Sequence, residues 1–124
     1  MRVALFIGMG SLIGGILRYM LSQLIQNRAL STFPYGTLTV NILGCLLIGI
    51  VFGLAERVGM AQEWKLFIVT GVLGGFTTFS AFSYESISLM RDGQAGTALI
   101  YVAASVVLGL LATYIGVLAM SSGQ

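Results

Sequence analysis

The sequence predicts an all-α membrane protein: four transmembrane helices forming one unit over residues 1–124, with the third helix broken near its middle. Three observations carry that expectation. Hydrophobic residues make up 57% of the chain and charged residues only 8%, against roughly 25% charged in soluble domains. The apolar residues gather in four runs, about 3–25, 36–55, 65–90 and 96–120, each reaching the ~20 residues that cross a ~30 Å hydrocarbon core. Within the third run, the stretch from Gly71 to Glu85 holds three glycines, five hydroxyl side chains, three phenylalanines and one carboxylate. That mixture suits a helix whose backbone opens at membrane depth, which is tolerated only where the opening is buried in protein or lines a cavity.

The first run starts like a secretory leader, with Arg2 ahead of Val3–Leu17. Its apolar character resumes after Arg18 without a small-x-small cleavage site, so a retained helix is expected. Gly10-x-x-x-Gly14, Gly49-x-x-x-Gly53 and Gly71-x-x-x-Gly75 put small residues one turn apart, and such residues let helix backbones approach closely in lipid. Arg18 lies roughly 10 Å from the Ile25 end at 1.5 Å per residue. It either snorkels to the interface or faces a water-filled vestibule, where it would concentrate anions.

Pro34-Tyr35-Gly36 ends the first loop and starts the second helix. Thr37, Asn41 and Cys45 follow at intervals of four and share one face. Asn41 offers either an interhelical hydrogen bond or, with Thr37, donors to a passing ion. Cys45, the single cysteine, has no disulfide partner and no histidine as co-ligand, so it is expected to fill space. In the fourth helix Tyr101, Ser105, Gly109 and Thr113 step by four. Thr113 is expected to bond back to its own helix, whereas Tyr101 and Ser105 are candidates for lining a path.

After the break, Phe79 and Phe82 fall on one face, and Ser80 and Ser83 form a second pair at the same spacing. Such a phenylalanine pair ordinarily packs a core. Here the ring edges are positive, hydroxyls and the Asn41 amide are donors, and a restarting helix presents backbone N–H groups and positive dipole. These features favour an anion, and no ring of carboxylates exists to favour cations.

Charge sets further bounds. With four crossings, Arg2, Arg57 and Lys65 share one side of the membrane, opposite Arg28, Arg91 and, if it reaches that interface, Arg18. Orientation normally follows an excess of Lys and Arg on the cytoplasmic side. Either other features fix one orientation, or the chain inserts both ways and an antiparallel, dual-topology homodimer becomes accessible. The net charge of +2 is scattered, without a basic patch, and nucleic acid is not an expected partner.

The chain resembles the Fluc (CrcB) fluoride channels along essentially its whole length. The resemblance rests on Gly14-Gly15-x-x-Arg18, Gly36-Thr37-Leu38-x-Val40-Asn41, Glu63-Trp64-Lys65 and Gly74-Gly75-x-Thr77-Thr78-Phe79-Ser80-x-Phe82-Ser83-x-Glu85. It implies a dual-topology homodimer in the inner membrane of a bacterial-type cell, with two fluoride pathways built from both subunits. Phe79, Phe82, Asn41, Tyr101 and Ser105 would line them, with Arg18 near the aqueous vestibule. It also implies a sodium ion on the dimer axis, held by the Gly74 and Thr77 carbonyls. The implied role is passive export of fluoride that lowers its toxicity. Gly109 stands where a hydroxyl is expected, which leaves the helix-four lining least defined.

Two other classes compete. A small multidrug-type proton-coupled transporter shares the four helices, but needs a titratable carboxylate in the first helix. Residues 3–25 contain no Asp or Glu, the chain has no histidine, and Glu85 is the one carboxylate at plausible depth. A non-transporting assembly subunit would not need the 79–83 segment. No nucleophile–base pair or metal set supports an enzyme.

Overall fold

The computed structural model describes residues 2–121. Among them, four helical spans of 24 to 30 residues are long and apolar enough to cross a membrane. The first is α1 (Arg2–Ala29) and the second α2 (Tyr35–Val58). The third span, Gln62–Arg91, is composite: α3 (Gln62–Lys65), a π-helical stretch (Leu66–Leu73), α4 (Gly74–Phe76) and α5 (Phe79–Arg91). The fourth is α6 (Ala95–Ser121). Each runs between one and four residues beyond the ends of the apolar run that predicts it.

The spans pair by backbone contact at glycines. α1 lies against the front half of the third span: a Cβ added at Gly10 would come within 2.8 Å of the Val72 nitrogen, and one at Gly75 within 2.7 Å of the Ser11 carbonyl oxygen. Gly14 faces the Val72 carbonyl more closely still. α2 lies against α6 in the same way, with Gly49 facing the Thr113 backbone and Gly116 facing Leu46 and Ile50. The expected role of the small-residue pairs is thus met, whereas Gly15 faces open space. Between helices in lipid there is no solvent-driven apolar attraction, so such close approach and interhelical hydrogen bonds supply the cohesion.

The turns follow from local chemistry. Gly59 ends α2 at φ +64°, and its N–H caps the Ala55 carbonyl. Gly93, at φ +78°, carries the chain from α5 into α6, where the Gln94 N–H returns to the Leu89 carbonyl at 2.8 Å. Gln26 organises the first loop: its Nε2 donates to the Ser31 and Phe33 carbonyls, and its Oε1 accepts from the Gly36 N–H. Thr32 then reaches Gln94 at 3.4 Å, joining this loop to the α5–α6 turn. Both lie at one end of the bundle.

The third span is only slightly bent. Its helical geometry is suspended for two residues: Thr77 and Thr78 are extended, at φ −92°, ψ 154° and φ −148°, ψ 120°. The π-helical stretch ahead of them is the unexpected element. It is apolar apart from Thr70, and nothing in its composition distinguishes it from α-helix.

Candidate functional site

Two consecutive extended residues deprive several backbone groups of their helical partners, and three side chains respond. Thr78 caps α5, its hydroxyl oxygen accepting from the Ala81 N–H at 3.2 Å. Asn41, from α2, takes both polar groups of the Thr78 backbone: its Oδ1 accepts from the Thr78 N–H at 3.0 Å, and its Nδ2 donates to the Thr78 carbonyl at 3.3 Å. Arg18, from α1, donates through Nε to the Gly75 carbonyl at 3.2 Å. Neither of the two roles read from the sequence for Arg18 anticipates this contact.

Beside the interruption lies an open cavity of about 360 Å³. Asn41, Gly74, Thr77, Thr78, Phe79 and Phe82 border it, joined from the fourth span by Ser105. No charged side chain is among its lining residues. The two phenylalanine rings sit 5.7 Å apart at 49°; Phe79 is 79% exposed in the single chain. The Ser105 hydroxyl oxygen is buried without a hydrogen-bond partner among the described residues. Cys45 also borders the cavity, and its sulfur packs against α6 as an expected filler would, 3.4 Å from where a Cβ on Gly109 would lie.

The other candidates lie off this cavity. Ser80 meets the Thr78 hydroxyl at 3.3 Å, and Ser83 is exposed on the outer side of α5. Thr37 and Tyr101 converge on Glu85: the Thr37 hydroxyl donates to Oε2 at 3.1 Å and the Tyr101 hydroxyl to Oε1 at 3.2 Å. Tyr101 is wholly buried, packed 5.2 Å from the Phe82 ring and edge-on to Phe33. Its link to the cavity therefore runs through Phe82. One expectation fails outright. Thr113 bonds not to its own helix but to the Cys45 carbonyl on α2, at 2.9 Å. The cause is the Gly49 contact, which brings the two backbones close enough for the hydroxyl to cross.

Four membrane spans, three of which line an uncharged cavity bordered by an amide, hydroxyls and two phenylalanines, define a small multi-pass membrane protein. The family model described as "CrcB-like protein, Camphor Resistance (CrcB)" matches residues 5–117, and the chain belongs to that family. Among similar curated proteins is the Fluoride-specific ion channel FluC of Flavobacterium psychrophilum, 43% identical over 119 residues, which are 95% of this chain and 96% of that one. The protein of the same name from Rhizobium meliloti is 42% identical over 121 residues, 97% of each chain. That from Thermus thermophilus is 43% identical over 112 residues, 90% of each.

Proposed function

We propose that this chain is the subunit of a fluoride-selective channel that lets fluoride leave the cell passively through the inner membrane. The observation that carries the reading is the cavity beside Thr77–Thr78. It gathers Asn41, Phe79, Phe82 and Ser105 from three different spans, and it does so in a chain more than 40% identical to proteins named for fluoride conduction. Fluoride is small and strongly hydrated. A path that replaces its water needs many weak donors at close quarters and no trapping charge. Amide N–H, hydroxyls and ring edges supply that mixture.

A second, antiparallel copy is the proposed partner. The cavity is open in the single chain, and Phe79 stands 79% exposed at its rim, so another copy would complete the wall. The balance of positive charge across the membrane supports both insertions. Sodium is proposed at the junction of the two copies. The Gly74 and Thr77 carbonyls accept no hydrogen bond among the described residues, because the donors that would reach them in a continuous helix bond elsewhere: the Thr78 N–H to Asn41 and the Ala81 N–H to the Thr78 hydroxyl. Oxygen donors of that kind suit a hard monovalent cation. No three His, Cys, Asp or Glu side chains converge among the described residues, so backbone oxygens are the donors to consider. Sodium would serve as a structural charge there.

The chain should restore growth on fluoride-containing medium to cells lacking their own fluoride exporter. Tolerance equal to that of cells without the chain would contradict the reading.

A further inference from the structure

A second, smaller pocket of about 160 Å³ opens at the loop end of the bundle, and its wall includes Gln26, Thr32, Glu85, Ser88 and Asp92. It is connected to the main cavity through side chains in series. Phe82 lines the cavity, its ring lies 5.2 Å from Tyr101, and the Tyr101 hydroxyl donates to Glu85, which lines the pocket. A chain of side-chain contacts thus runs from the cavity wall to this pocket.

The charged side chains that line this pocket oppose an anion. Two carboxylates line it and no Lys or Arg does, although Arg28 and Arg91 end α1 and α5 nearby. Both Glu85 oxygens accept hydrogen bonds from Thr37 and Tyr101. Asp92 differs: its carboxylate makes no hydrogen bond or ion pair among the described residues, and it is exposed. Its backbone alone serves the fold, the N–H capping the Ser88 carbonyl at 3.0 Å.

We infer that this pocket is the loop-side mouth of the fluoride route, and that Asp92 is a mouth charge that depletes fluoride there and makes throughput depend on ionic strength. A fixed charge at a narrow opening with low-dielectric walls changes the local concentration of a permeant ion. Its reach is set by the Debye length, ~30 Å at about 10 mM salt and ~3 Å at about 1 M. The inference rests on the channel reading, and it concerns a residue outside the cavity.

The test is fluoride efflux from proteoliposomes in an impermeant organic-anion salt, read with a fluoride electrode at low and high ionic strength. At about 10 mM salt, Asp92→Asn should raise flux roughly twofold and Asp92→Lys further, with both converging on the wild type at about 1 M. Asp92→Glu keeps the charge and should follow the wild type at both. Equal flux for Asp92→Asn and the wild type at low salt would overturn the inference, as would a difference that persists at high salt. A folded wild-type chain that passes no fluoride would instead overturn the channel reading itself.

Discussion

Asn41 holds Thr78 by both polar groups of its backbone, accepting from the N–H at 3.0 Å and donating to the carbonyl at 3.3 Å. A primary amide can do both at once through two separate atoms, Oδ1 and Nδ2. Its second N–H remains for another acceptor at the cavity. The residue that positions the restart of the third span is thus also a donor beside the proposed path.

Asn41→Asp should therefore fail twice. A carboxylate still accepts from the Thr78 N–H but faces the Thr78 carbonyl with like partial charge, and it repels an anion. Stability should fall by about 1–3 kcal/mol, the cost of leaving a buried polar group unmatched. Fluoride flux should fall by roughly tenfold or more, equivalent to about 1.4 kcal/mol on the barrier. Thermal unfolding in detergent and liposome efflux measure the two effects. Wild-type flux from the folded variant would remove Asn41 from the path.

Phe79 and Phe82 should separate in their effects. Phe82 packs on Tyr101, whereas Phe79 is mostly exposed in the single chain. Replacing Phe82 by Ile should cost under about 1.5 kcal/mol of stability, as near-volume-conserving core changes do, and should still reduce fluoride flux. Phe79→Ile should leave the unfolding of the single chain nearly unchanged while reducing flux. Full flux from either purified variant would show that the ring edges are not used.

The glycine contacts make a sharper test of packing than the motifs alone. A Cβ at Gly14 runs into the Val72 carbonyl, whereas one at the adjacent Gly15 meets nothing. Gly14→Ala should destabilise by about 1–3 kcal/mol through overpacking. Gly15→Ala should be neutral or slightly stabilising, since Ala is the better helix former by about 1 kcal/mol. Equal melting of the two variants would refute the α1–third-span interface.

Dual topology can be examined by adding a few lysines to the 56–64 loop, which should bias insertion and lower flux. A copy biased oppositely, with lysines near Arg28 and Arg91, should rescue it on co-expression. Full activity of each biased copy alone would contradict the antiparallel pair.

The four spans were legible because membrane thickness demands long apolar runs, and little else satisfies it. The inward face of α2 was legible too. Thr37 and Asn41 turn toward the third span as their spacing of four requires, meeting Glu85 and Thr78, while Cys45 borders the cavity with its sulfur beside Gly109 of α6. Arg18 was less so, because its partner, the Gly75 carbonyl, lies 57 residues away and becomes a free acceptor only when the helix opens. Glu85 stood out in sequence by its depth, yet its role as the meeting point of Thr37 and Tyr101 depends on three spans converging. Thr113 misled because its sequence neighbours cannot reveal how closely Gly49 brings the α2 backbone.

The central claim is selective, passive conduction of fluoride. The most direct measurement loads liposomes containing the purified chain with potassium fluoride or potassium chloride, dissipates the membrane potential with valinomycin, and follows efflux with ion-selective electrodes and no proton gradient. The account expects rapid fluoride efflux and negligible chloride efflux. Comparable loss of both anions, or fluoride movement only when a proton gradient is imposed, would contradict it.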